Sequence, residues 1–519
     1  MTEQLTAPTA AARPDPPDQA ARQRITTELT TTLFVVAGAG SGKTSALVNR
    51  VLALVTGGHA ELRRIAAITF TEKAGAELRD RIRGALEQRA ELDPDSEVGQ
   101  RCRQALEQLD GAAIGTLHAF AQRLLSEHPI EAGLPPRLEV LDEVSSAVAF
   151  DTRWSSFRDQ LLADPALERS VLLLIASGVK PSALQSLAQA FDDNWDLVQE
   201  RVPPHSADPP PVHRLFEAAA ATVDAVCAEP CRVVDDKLRQ RLDEIAGRMA
   251  ELRAIPDELD LLEGIGRKAT IKLPSFKVGG KGKQGAWDCD LADLQSRVRE
   301  AGEGLAAVCG DVAAACAHRL GSAIRAFTLD SAQSRQQEGR LEFHDLLVLA
   351  RALLRDPVHG AAVRTTLHEL YDRLLLDEFQ DTDPIQIELA VRIAAADPHS
   401  SAAGQDPWEK VDVAPGQLFV VGDPKQSIYR FRRADIRTFL TAADRFGAEE
   451  DGVVELTANF RSVQPIINWV NHTFAVLMSE PDDVPVHLHS QPDYLPLVAT
   501  RSAAGVGPAV SLLGRHEHP

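Results

Sequence analysis

An unalternated apolar run, Leu33, Phe34, Val35 and Val36, leads straight into Ala37, Gly38, Ala39, Gly40, Ser41, Gly42, Lys43 and Thr44. No other segment restricts the fold so tightly. A short run without polar alternation reads as a parallel strand buried on both faces. The glycines at 38, 40 and 42 let the chain turn sharply with its N–H groups inward, and a helix opening near Lys43 aims its positive end at the same point. In this pattern Lys43 reaches the β- and γ-phosphates of a nucleotide, Thr44 binds magnesium, and Ser45 continues the loop into the helix. Ala37 stands where the strict pattern has glycine.

A second apolar run, Leu374, Leu375 and Leu376, delivers residues 377–382, Asp-Glu-Phe-Gln-Asp-Thr. Hydrolysis of a phosphoanhydride needs one carboxylate to hold the metal and another to orient or deprotonate water. We assign Asp377 to magnesium and Glu378 to water, so ATP with Mg2+ is the expected ligand pair.

Further strand signals occur at 65–69, 113–115, 417–421 and 453–456, with helical sequence between them. This rhythm predicts an α/β fold built on a doubly wound parallel sheet. It is broken from 141 to 340 by sequence rich in Ala, Leu, Arg and Glu with helical periodicity, read as a mainly helical insertion. A length of 519 residues calls for more than one domain. The formal net charge of −20 requires any nucleic-acid surface to be a local basic tract. One such tract runs from Arg267 and Lys268 through Lys272, Lys277 and Lys281 to Lys283; it reads either as a site for duplex phosphates or as a solvated loop. Cys102, Cys227, Cys231, Cys289, Cys309 and Cys316 complete no zinc pattern and suit reduced thiols in a cytoplasmic protein. No apolar run is long enough to span a bilayer and no signal peptide is visible, while the Thr/Ala/Pro-rich residues 1–17 read as a disordered tail.

Beyond the two phosphate-site segments, the chain resembles a superfamily 1 DNA helicase of the UvrD/Rep type. Residues 377–382 resemble its acidic motif, 422–429 (Gly-Asp-Pro-Lys-Gln-Ser-Ile-Tyr) its third motif, and 459–462 (Asn-Phe-Arg-Ser) its fourth. Residues 68–74 and 115–118 resemble its early DNA-contact motifs, and 18–21 its adenine-reading segment. Residues 383–386, 424–425, 341–347 and 133–143 are similar to the RecB/AddA helicase-nuclease branch.

The resemblance implies a RecA-like P-loop domain in two parts, 18–140 and 341–445, with a 1B-like insertion at 141–340. The start of a second RecA-like domain is implied at 446–519. It implies that Gln19 reads the adenine edge, Phe460 stacks on the base, Gln426 touches the γ-phosphate and attacking water, and Arg461 pairs with the γ-phosphate. Lys43, Glu378, Gln426 and Arg461 are thus the catalytic set. For single-stranded DNA, Phe70, Tyr429 and Phe431 are the stacking rings, with Arg432 and its neighbours on the backbone. Thr71, Thr116 and His118 are phosphate contacts, although His118 also reads as a hydrogen-bonded buried histidine.

The implied activity is ATP-driven 3′-to-5′ movement along DNA and duplex unwinding in repair or recombination, at the nucleoid. Single-stranded and duplex DNA are the implied partners, as is a second helicase-nuclease subunit; no membrane is implied. No segment resembles the family's fifth or sixth motif, so the chain reads as an N-terminal portion in which ATP binds but turns over slowly. The other reading is a nucleotide-dependent DNA-binding or regulatory module with little turnover.

Overall fold

The computed structural model describes residues 15–266, 270–448, 452–479, 492–502 and 508–511. Most of the N-terminal tail, Arg267 and Lys268 of the basic tract, and the last residues of the chain lie outside these segments. The chain divides into two compact units, with Glu139–His344 as one and the sequence on either side of it as the other.

The flanking unit is a parallel sheet. Its strands are β1 (Leu33–Ala37), β2 (Ile65–Thr69), β3 (Ala113–Thr116), β4 (Arg373–Leu376), β5 (Leu418–Gly422) and β6 (Val453–Leu456). They lie in the order β3-β2-β4-β5-β1-β6, every neighbouring pair parallel. The short apolar runs become strands because both of their faces are covered. Leu33 and Val35 face α2 (Lys43–Thr56) and α3 (Glu72–Leu92), sharing a core with Leu47, Val51, Leu54, Leu78 and Ile82. Phe34 points the other way and meets Phe379 and Phe439 edge-on, at 5.8 and 4.9 Å between centroids.

One expected boundary moves. The sequence from 446 onward reads as the start of a second domain, yet β6 pairs with β1, from Phe34 opposite Val453 to Ala37 opposite Leu456. Val454 and Leu456 are apolar on the side that closes the core, so β6 completes the first sheet. Only after it does the chain leave, into β7 (Ala458–Val463), which pairs in parallel with β8 (Val498–Arg501) as a separate ribbon.

Among its described residues the unit 139–344 is mainly helical, with a parallel pairing of Glu139–Val140 with Arg340–Leu341 and an isolated antiparallel bridge between Cys231 and Trp287. Its spine is the helix Leu291–Glu338, 48 residues long, capped at its start by the Asp290 side chain and closed by Gly339 in the left-handed conformation. Leu294, Val298, Leu305, Val312, Leu320 and Ile324 line its buried stripe and meet Val212, Phe216 and Val223 of a second helix. The buried Arg335 is paired with the buried Asp192 at 2.9 Å. Cys227, Cys231, Cys289, Cys309 and Cys316 all fall in this unit and none forms a disulfide.

Candidate nucleotide and DNA site

Strand order brings the site together. β4, β5 and β1 are adjacent and parallel, so the loops after Leu376, Gly422 and Ala37 emerge side by side at the carboxyl edge of the sheet. Gly40 and Gly42 take φ of 71° and 87°, and Gly42 forms the N-cap of α2. Lys43 and Thr44 occupy the first turn of that helix, Ser45 beside them being exposed. The Ser41 hydroxyl is buried without a partner. The Lys43 ammonium lies 2.6 Å from a Glu378 carboxylate oxygen, an ion pair without hydrogen-bond alignment.

Asp377 is anchored by its N–H, which donates to Ile68 O at 2.8 Å, and its carboxylate accepts the Glu378 N–H at 3.0 Å. Burial, then the neighbouring Glu378 charge, pushes Asp377 up to about 6. The same two causes push Asp381 up to about 6. Glu378 adopts the left-handed conformation at φ 51°, a costly state for a side-chain-bearing residue and one that clusters at functional sites.

The third motif begins with the buried Asp423, whose carboxylate accepts from Lys425 N at 3.1 Å and from Gln426 Nε2 at 2.6 Å. Gln426 is thereby held beside the acidic loop. From the fourth motif, Asn459 donates its side-chain amide to Ala39 O at 2.5 Å, and the Phe460 N–H donates to Gly40 O at 2.9 Å. A methyl group on Gly40 would lie 2.8 Å from both Arg461 Cβ and Asn459 Nδ2, so glycine is required for this approach. Leu497, ahead of β8, packs on Gly38. Arg461 itself is exposed.

Two residues given no role of their own in the sequence hold the other side. Asp18 accepts from Arg22 at 2.8 Å and from Ala458 N at 2.9 Å. Arg22 also donates to Ser41 O at 2.8 Å and covers the Phe460 ring at 4.9 Å. Their i, i+4 spacing at the start of the helix α1 (Gln19–Thr27) is the signal that could have found them. Gln19 opens that helix, partly exposed.

The proposed DNA residues divide. Phe70 and Tyr429 lie 4.7 Å apart, Tyr429 and Phe431 5.7 Å apart, and Arg432 sits 5.9 Å over the Tyr429 ring. Phe431 is 79% exposed, which removes the possibility that it is a core residue. Arg433 turns back to Asp383 at 3.1 Å. Thr71 and Thr116 cap helices, accepting from Ala74 N and Ala119 N, and the Thr116 hydroxyl donates to Glu72 at 2.6 Å. The Thr116 O–H is spent on Glu72, whereas the Thr71 cap uses only an acceptor lone pair. His118 is half-buried in the first turn of the helix Leu117–Glu127.

The unpartnered Ser41 hydroxyl, the unaligned Lys43 ammonium, an unpartnered Asp381 oxygen and the glycine-lined turn fit a polyphosphate with a divalent cation. Among the described residues no group of three His, Cys, Asp or Glu could hold a metal by itself. Magnesium takes one or two carboxylates and completes its shell with phosphate and water.

Fold and site together define a P-loop nucleotide-binding α/β core interrupted by a helical unit. The chain belongs to the UvrD/REP helicase family, whose N-terminal domain model matches residues 18–447. It is similar to proteins described as the A subunit of an ATP-dependent helicase/nuclease. The Pediococcus pentosaceus protein is 25% identical over 493 residues, covering 86% of this chain and 38% of the relative. The Exiguobacterium sibiricum protein is 28% identical over 479 residues, covering 86% and 39%. The Levilactobacillus brevis protein is 28% identical over 501 residues, covering 86% and 37%. The chain therefore spans well under half the length of these curated relatives.

Proposed function

We propose that this chain is the nucleotide-binding motor portion of a DNA-translocating ATPase acting in repair or recombination. The observation that carries the reading is the convergence, at one sheet edge, of the phosphate loop, the acidic loop and the third motif, which itself runs into the Phe70–Tyr429–Phe431 rings.

In this reading Lys43 and the loop N–H groups bind the β- and γ-phosphates. Thr44 and Asp377 are the residues that would hold magnesium, which supplies charge neutralisation at the phosphate oxygens when bound. Glu378 takes a proton from the attacking water once the phosphates draw Lys43 away from it. Gln426 orients that water, and Arg461 swings from the solvent side to offset charge on the γ-phosphate. Gln19 and Phe460 hold the adenine. The three rings accept bases of a single strand while Arg432 and its neighbours grip the backbone. Lys272, Lys277, Lys281 and Lys283, none in an ion pair among the described residues, support a duplex contact in the helical unit. The motor reading extends to 3′-to-5′ movement, unwinding and a cytoplasmic setting, and the relatives' description as one subunit of a helicase/nuclease supports a second subunit.

Loss of a transition-state arginine costs roughly a thousandfold or more in phosphoryl transfer. Arg461→Ala is therefore expected to keep MgATP binding and to lose turnover on that scale. The test is titration with a fluorescent ATP analogue and, separately, with fluorescein-labelled oligo(dT). Lys43→Ala should abolish nucleotide binding and leave DNA binding in place. Unchanged nucleotide affinity in that variant would remove the assignment.

A further inference from the structure

Gln380 lies inside the acidic motif and is 2% exposed. Its side-chain amide is used at both ends. Nε2 donates to Glu378 Oε2 at 2.8 Å and to Asp381 Oδ2 at 3.1 Å. Oε1 accepts the Asp423 N–H at 2.8 Å, and the Gln380 carbonyl accepts from Ser427 Oγ at 2.9 Å. One planar group thus joins the carboxylate assigned to water with the first residue of the segment 423–427, and the carbonyl of the same residue holds the last, two residues before Tyr429. Close approach is built in: a methyl group on Gly422 would lie 2.8 Å from Gln380 Oε1. A second strut runs from Asp383 to Arg433 at 3.1 Å, at the far end of the ring-bearing segment. Glu378 and Arg433 are also the non-glycine residues with positive φ among those described, at 51° and 67°. The two strained backbone positions therefore stand at opposite ends of this connection.

We propose that Gln380 is a positioning residue that transmits nucleotide state from Glu378 to the DNA rings, an inference that rests on the motor reading above. Glu378 has two holders, the Lys43 ammonium at 2.6 Å and the Gln380 amide. A triphosphate competes for Lys43 and leaves Gln380 as the remaining one. Donor and acceptor are fixed across one rigid amide, so it cannot follow Glu378 without disturbing the bond to Asp423 N–H. That N–H is buried, and an orphaned buried donor is costly, so the displacement passes to 423–427 instead of being absorbed. Asp423 in turn holds Gln426 at 2.6 Å, so the γ-phosphate contact and the rings move with it.

Coupling of this kind is reciprocal and is read as a ratio of affinities. Oligo(dT) affinity is measured by anisotropy on the whole chain, with and without saturating magnesium and a non-hydrolysable ATP analogue. The wild-type ratio is expected to be at least about fivefold. Gln380→Met keeps the length of the side chain and removes both donor and acceptor. It should bring the ratio below about twofold while nucleotide and DNA affinities, each measured alone, stay within about threefold of wild type. A merely structural role would lower both affinities and leave the ratio unchanged. Ser427→Ala removes one strut only and should reduce the ratio partially; if Gln380→Met does not fold, this variant decides. A wild-type-like ratio in whichever variant decides overturns the proposal, as does the absence of coupling in a wild type that binds both ligands. Failure to bind nucleotide at all would instead overturn the motor reading.

Discussion

Asp377 carries a conflict between stability and function that can be measured. Its carboxyl is buried and raised from 3.8 to about 6. Between those values the folded chain holds a proton that the unfolded chain has released. Its contribution to stability is therefore full below the unfolded value and lost as pH rises through about 6. Asp377→Asn removes the buried charge, and Asn can still accept the Glu378 N–H. In the absence of ligand this variant should gain on the order of 2–3 kcal/mol at pH 8 and almost nothing at pH 4, read by denaturant melts. It should at the same time lose magnesium-dependent nucleotide affinity. Lys43, Thr44, Asp377 and Glu378 could be proposed from sequence because phosphate chemistry demands those residue types in a fixed local order. Asp18, Arg22 and Gln380 could not, because their partners lie far away in sequence and their chemistry is ordinary hydrogen bonding.

At the scale of elements, the ring ladder joins the end of β2 to the loop after β5, which no local pattern could pair. Phe431→Ala and Tyr429→Ala should each weaken oligo(dT) binding by about 1–3 kcal/mol, with nucleotide affinity unchanged. Equal losses for both ligands would point to a folding defect. The lysine tract gives a contrasting expectation. Replacing Lys272, Lys277 and Lys283 by Glu should weaken duplex binding and flatten its salt dependence, since each phosphate contact adds to the slope. An unchanged slope would assign the tract to solvent. The strands were legible as apolar runs, but β6 reads from its sequence as part of the following domain. Val453 to Leu456 looks like any buried strand, and only its register against β1 says which sheet it completes.

Among the described residues, each unit has a hydrophobic core of its own, one including the packing under the sheet and one around the helix Leu291–Glu338. Two calorimetric transitions are expected. A ligand that binds only the folded phosphate site stabilises by about 2.7 kcal/mol at a hundred times its Kd. Magnesium with a non-hydrolysable ATP analogue should therefore raise one transition and leave the other in place. A single transition that shifts as a whole would mean that the two units unfold as one.

The amino-acid sequence alone carried the phosphate-loop pattern, the acidic pair, the change from sheet to helix near 140 and the motif series pointing to the family. Each of these is written in contiguous residues, where spacing and side-chain type are themselves the physical requirement. Tertiary structure alone decided that Asn459 and Arg461 meet Gly40, that Thr116 donates to Glu72, that β6 belongs to the first sheet and that Gln380 links two motifs. Those outcomes depend on strand order and on which buried polar group finds which partner, and both are settled only when the sheet closes.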